Sequence, residues 1–227
     1  MILAAPLAAP AQGGRGAPVV YYALGDSTAI GQGAEQGGGY PARIARKLEQ
    51  SGVPVKFTNV AAGGATIAEL RHEQVPRAVA AHPTLITLGI GINDLVQDRK
   101  LADFSRDLEI AADFLGRTKA TIVISTIPDL SLSPSAKGGP TSLGRRIEAF
   151  NATIALVAER HGFVVADVHG ATRRAIRDRG AELFSRDGFH PSAAGYELWA
   201  EAMWPAVERA VVAPRVQARR PASPPDR

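Results

Sequence analysis

Val19-Val20-Tyr21-Tyr22-Ala23-Leu24-Gly25-Asp26-Ser27 is the stretch that decides the fold. Residues 19–24 are apolar or aromatic without interruption, and they are rich in β-formers. A strand with one wet face alternates. An unbroken run reads as a strand covered on both faces, which is the signature of a parallel sheet between helices. The run ends in Gly25-Asp26-Ser27, so a serine hydroxyl stands at the carboxyl edge of that sheet, where such sheets hold their ligands. Serine is also a good helix N-cap. As a nucleophile it is weak alone and needs a base, an orienter for the base and donors for an oxyanion.

Four further runs repeat the pattern, at 55–60, 84–90, 121–127 and 163–167. Amphipathic stretches lie between them. The spacing predicts helices over 40–50, 67–80, 101–115, 143–161 and 193–212, with Pro76 kinking or ending the second and Pro205 bending the last. Alternating strands and helices give βαβ units. The expectation is one three-layer α/β/α domain over 19–212, with a flavodoxin-like parallel sheet of about five strands. The long aperiodic segment 128–140 follows the fourth strand, and loops of that length tend to be functional.

The bulk numbers agree. With 227 residues, 45% hydrophobic and 21% charged, the chain has the composition of a globular domain, neither disordered nor membrane-embedded. No apolar run approaches the ~18 residues of a spanning helix, so no integral membrane segment is expected. There is no cysteine, which excludes disulfides and thiolate chemistry. The formal net charge of +4 is concentrated at the end of the chain, where Arg215, Arg219, Arg220 and Arg227 face one acid, Asp226. Residues 213–227 therefore read as a disordered basic tail and not as a nucleic-acid surface. Residues 1–18 read as a flexible leader or the remnant of an export signal. Ala9-Pro10-Ala11 is similar to a signal cleavage site and favours export, although no basic n-region precedes it.

The strand ends can be read together. The first gives Gly25-Asp26-Ser27-Thr28 and the second Asn59-Val60-Ala61-Ala62-Gly63-Gly64-Ala65-Thr66. The third gives Gly91-Ile92-Asn93-Asp94. Ahead of the last helix stands Asp187-Gly188-Phe189-His190-Pro191-Ser192. The glycines from Gly31 to Gly39 invite a phosphate-loop reading, but neither G-x-G-x-x-G opening a helix nor a P-loop lysine is present. No cofactor or metal is expected.

These four blocks, in this order from about Tyr21 to Trp204, resemble the SGNH hydrolases, also called GDSL esterases and lipases. Thr28 stands where the family name has leucine. The resemblance implies Ser27 as nucleophile, His190 as general base and Asp187 as its orienter. It implies an oxyanion hole of the Ser27 backbone N–H, the Gly64 backbone N–H and the Asn93 side-chain amide. Gly64 is preferred to Gly63 because it lies five residues after Asn59, the family's spacing. Glycine suits a backbone that must approach substrate without a Cβ. Asp26, Asn59, Thr66 and Asp94 read as loop-shaping residues. His72, His82, His161 and His169 have no carboxylate partner in an obvious motif and read as surface or capping residues.

The implied function is hydrolysis of carboxylic esters, of short to medium acyl chains, through an acyl-enzyme on Ser27. An acyltransferase or a carbohydrate O-deacetylase would use the same triad, and a non-catalytic binding domain is the remaining class. The expected partner is a small-molecule ester, with no nucleic acid, and the chain is expected to be a monomer or weak homo-oligomer. The segment 131–140 could border an acyl pocket.

Overall fold

The computed structural model describes residues 17–135 and 140–219. The chain runs β1 (Val19–Gly25), α1 (Ser27–Ile30), α2 (Tyr40–Gln50), β2 (Val55–Asn59) and α3 (Ile67–Glu69). A π-helical turn, Leu70–Gln74, joins α3 to α4 (Val75–Ala80). Then come β3 (Leu85–Gly89), α5 (Ile92–Val96), α6 (Leu101–Gly116) and β4 (Thr121–Ser125). The last part holds α7 (Pro140–His161), β5 (Val164–Ala166), α8 (Val168–Arg179) and α9 (Ala193–Val207). A second π-helical turn, Glu208–Val212, leads into α10 (Ala213–Arg219).

The five strands form one sheet in the order β2-β1-β3-β4-β5, and every pair is parallel. This is the doubly wound, flavodoxin-like order expected of the sequence. It places β1 and β3 side by side at the point where the chain reverses its direction of winding, which is where such sheets open a crevice. Tyr21 pairs with Leu85 and Gly25 with Gly89, so the Gly-Asp-Ser corner and the loop before α5 leave the sheet together. α2, α9 and α8 pack on one another, and α6 packs against α3, α4 and α7.

Each element follows from its residues. β3 is buried at every position. α2 buries Ile44, Ala45 and Leu48 and starts with Pro41 in its first turn, where the missing N–H costs nothing. Tyr40 stacks on Trp199 at 4.9 Å and 5° between planes, tying α2 to α9. Stacked aromatic pairs add about 0.5–1.5 kcal/mol beyond the area they bury. Arg43 and Glu197 close the same seam at 2.6 Å. No helix among the described residues is long and apolar enough to cross a membrane.

Four differences from the sequence reading have physical causes. β2 is a sheet edge and is partly exposed, with Phe57 36% accessible, so it is not covered on both faces. α8 stands where the sequence predicts no helix. Its Arg-rich stretch buries only Val168 and Thr172, too few for a helical stripe to stand out. Pro76 does not end the helix, because the π turn before it makes it the second residue of α4 and the helical run continues to Ala80. Residues 213–219, read as disordered, are helical and continue the last helix through the second π turn. Leader residues 1–16, loop residues 136–139 and tail residues 220–227 lie outside the described residues.

Candidate active site

The Gly-Asp-Ser corner is built by its neighbours. Asp26 N-caps α1, its Oδ1 accepting from Thr28 N at 2.9 Å and Thr28 Oγ1 at 2.7 Å. Ser27 is the first residue of α1 and is buried except for its edge. Gln74, 2% exposed, clamps the corner from the π turn. Its Oε1 accepts from Gly25 N and its Nε2 donates to Gly25 O, both at 2.8 Å.

Ser27 Oγ lies 2.9 Å from His190 Nε2, and His190 Nδ1 lies 2.6 Å from Asp187 Oδ2. Asp187 Oδ1 accepts from Ser185 Oγ, Phe189 N and His190 N, each at 2.8 Å. These three donors fix the carboxylate so that only Oδ2 faces the imidazole. Partial burial works against the charge on Asp187, but the hydrogen bonds from His190, Phe189 N, His190 N and Ser185 outweigh it. They hold its pKa well below the usual carboxylate range. An ionised Asp187 accepts a hydrogen bond at Oδ2, so Nδ1 carries the hydrogen and Nε2 turns its lone pair to Ser27.

The segment that delivers this pair is a closed turn. Phe184 and Pro191 form an antiparallel bridge, and Ser185 N donates to His190 O at 2.7 Å. Ser192 caps α9 directly behind it. The turn seats against Gly33, where a Cβ would come within 2.9 Å of His190 Cβ and 2.8 Å of Ser185 Cβ. The glycine-rich stretch thus gives the histidine turn room. Arg43 pins the stretch through Gly38 O and Gln36 O.

Gly64 has φ +77, with no atom within 4 Å of where a Cβ would stand. The visible demand for glycine is therefore backbone conformation and not crowding. Neither its N–H nor that of Ser27 meets an acceptor among the described residues. Asn93, on α5, donates one Nδ2 hydrogen to Ala65 O at 3.0 Å, which leaves the second free. The β2 and β3 loops are fastened to each other through Asp94, fully buried, whose Oδ2 accepts from Ile67 N at 3.0 Å and Oδ1 from Arg99 at 3.2 Å. Burial raises the Asp94 pKa, and the bonds from Ile67 and Arg99 oppose the rise. Asn59 holds Ala29 O and Ala61 N. Thr66 and Glu69 form a reciprocal capping box. These residues shape loops, as their types suggest.

Asp26 is different. It is 1% exposed, its Oδ2 has no partner, and burial pushes its pKa up to about 6 against the pull of Thr28 and His190.

The structure brings Ser27, His190 and Asp187 into one hydrogen-bonded line. Reading the sequence missed Gln74, Ser185 and Arg99. Only Ser185 carried a signal, a hydroxyl two residues before an aspartate. His161, the last residue of α7, meets Glu109 Oε1 through its Nε2 at 2.8 Å, a carboxylate that no local motif marks.

Beside the site lies a cavity of about 600 Å³. Its apolar wall includes Ile92, Leu95 and Val96 of α5, Leu130 and Phe189. Phe189 stands edge-on to the His190 ring at 5.0 Å between centroids. Ser133 and Ser135, from the segment expected to border a pocket, line it as well.

Comparisons with known proteins bear on the family and the fold. The sequence profile described as the GDSL-like Lipase/Acylhydrolase family matches residues 23–198. A comparison with curated proteins finds no match in sequence. Among solved structures, a putative GDSL-like lipase from Parabacteroides merdae superposes with a TM-score of 0.72 at 20% identity, covering 86% of this chain and 95% of that one. Axe2, an acetylxylan esterase from Geobacillus stearothermophilus, gives 0.71 at 18%, over 86% and 95%. The structure named TesA gives 0.69 at 22%, over 85% and 99%. At such identities the likeness speaks for the fold.

Proposed function

The chain belongs to the GDSL-like lipase/acylhydrolase family, hydrolases acting on ester bonds, and on that footing we propose that it cleaves carboxylic esters through an acyl-enzyme on Ser27. The observation that carries the reading is the line Ser27 Oγ–His190 Nε2–His190 Nδ1–Asp187 Oδ2, at 2.9 and 2.6 Å.

In this mechanism Ser27 Oγ attacks the ester carbonyl while His190 Nε2 takes its proton. The carbonyl oxygen becomes an oxyanion that accepts from Ser27 N–H, Gly64 N–H and the free Asn93 Nδ2 hydrogen. One such donor is worth about 2.7–4 kcal/mol in the transition state. The imidazolium is stabilised by the ionised Asp187. The C–O bond then breaks, the alkoxide leaves with the proton from Nε2, and the acyl group stays on Oγ. A water attacks the acyl carbon, passes its proton to Nε2, and the acid departs as Ser27 recovers its hydrogen. The apolar cavity of about 600 Å³ supports acyl chains of short to medium length.

A series of 4-nitrophenyl esters from acetate to decanoate tests this. Turnover by purified protein, abolished in Ser27→Ala, is the expected result. An untouched rate in Ser27→Ala refutes the nucleophile, and no turnover of any ester refutes the hydrolytic reading. Transfer of the acyl group to an added alcohol, outpacing release of acid, would instead mark an acyltransferase.

A further inference from the structure

The apolar cavity does not end in solvent-facing carbon. Asp98, Ser142 and Arg146 line it and also line a second groove, so the two spaces share a border. That second groove is basic, carrying Arg99, Lys100, Arg145 and Arg146 against Asp98 alone. The cations are not equally committed. Arg99 is held by Asp94 at 3.2 Å and Asp107 at 2.9 Å. Arg146 Nη1 is held only by Asp98, whose side chain is 84% accessible. Among the described residues, Lys100 and Arg145 meet no carboxylate within salt-bridge distance. Arg145 also borders a neighbouring depression that holds Asp129 and Glu148.

An apolar slot that starts on Ile92 and Phe189, next to Asn93 and His190, and borders a groove with more cations than acids suits one kind of molecule. The slot begins on α5, which carries Asn93. Asn93 is assigned to the carbonyl oxygen, so the slot adjoins the reacting carbon, and its apolar wall suits the acyl chain on it.

Resting on the reading of Ser27 as nucleophile, we infer that this enzyme favours esters whose acyl chain carries a distal anionic group. The chain's methylenes lie along Leu95, Leu143 and Phe189, and the anion reaches Arg146, Lys100 and Arg145. Arg146 exchanges its partner, leaving Asp98 to solvent and pairing with the substrate. A planar guanidinium accepts that exchange well because it binds either carboxylate through the same fork.

The test is a matched pair, 4-nitrophenyl hexanoate and the mono-4-nitrophenyl ester of adipic acid, which differ by a terminal methyl against a terminal carboxylate. The quantity read is the ratio of kcat/KM, charged over neutral. The expected ratio in the wild type exceeds one at low salt and falls toward one as ionic strength rises. In Arg146→Gln it drops by about two- to fivefold, the worth of one partly exposed ion pair. Asp98→Asn moves it the other way, because Arg146 is then free. Asparagine also tolerates the φ of +53 at that position, so the variant keeps its backbone. A ratio at or below one in the wild type overturns the inference, as does a ratio unchanged by both substitutions. Either result leaves the esterase reading standing if Ser27-dependent turnover of the hexanoate persists. Loss of turnover of both esters in the wild type would instead sink that reading.

Discussion

Gln74→Leu is the substitution that asks most of the site's architecture. Leucine keeps much of the volume and removes both hydrogen bonds to Gly25, the residue that starts the Gly-Asp-Ser corner. The two losses are unequal. Gly25 O also accepts from Ala62 N at 3.2 Å, so it keeps a partner and forfeits about 0.5–1.5 kcal/mol. Gly25 N–H is buried and has no other acceptor, so it suffers the full desolvation penalty of about 1–3 kcal/mol. Together they give about 1.5–4.5 kcal/mol of destabilisation. Equilibrium urea denaturation followed by tryptophan fluorescence reads it directly, since Trp199 is 2% exposed and must emerge on unfolding. Activity measured where both proteins are folded should also fall, because the Ser27 N–H is two residues from the freed amide. A loss below about 1 kcal/mol with unchanged kcat would show that the corner is held by the sheet and α1 alone, and would refute the clamp.

The other predictions concern charge and conformation. Asp187→Asn keeps an acceptor for the three donors on Oδ1 but presents an N–H to His190 Nδ1. That forces the tautomer that cannot take a proton from Ser27, so kcat should drop about 10⁴-fold with urea stability nearly intact. Asp26 has its folded pKa raised to about 6, so its folded form is favoured below the unfolded carboxylate pKa and stability is lost as pH rises through 6. Asp26→Asn removes that loss, and the variant should outlast the wild type at pH 7 by on the order of 2–3 kcal/mol, with no gain at pH 4. Equal stability of the two proteins at both pH values would disprove it. Gly64→Ala forces a Cβ into φ +77, at about 1–2 kcal/mol. It should lower kcat more than it raises KM, because the N–H it displaces serves the oxyanion and not the bound ester.

What could be read from the sequence was whatever is local. β1, α2 and α9 show themselves by unbroken apolar runs and helical spacing. Asp187 and His190 sit three residues apart, so their hydrogen bond is implied by one short turn. The same locality misled at α8. Asp167 was absorbed into the fifth strand, although it is the N-cap of α8 and its side chain accepts from Gly170 N. Pro76 misled as well. It is read as a kink or a stop, yet it is the second residue of α4 and follows a π turn, as Pro214 does in α10. A widened turn is one way a continuous helix absorbs a residue that has no N–H to donate.

The residues that hold the site lie beyond any window of sequence. Gln74 and Gly25 are 49 positions apart, and Ile67 and Asp94 are 27 apart. They meet because β2 and β3 both flank β1, so the segments leaving the three strands gather at one end of the sheet. A glutamine on a weak helix carries no mark of such a partner until the strand order is known. The reacting atoms depend on these contacts in series. Gly25 fixes where α1 begins, and α1 fixes where Ser27 N–H and Oγ point. Asp94, by holding Ile67 N, ties the loop that carries Gly64 to the one that carries Asn93. The catalytic groups are therefore legible as types at strand ends. Their alignment is a property of the sheet order, and a variant that disturbs Gln74 or Asp94 should degrade catalysis while leaving every motif residue in place.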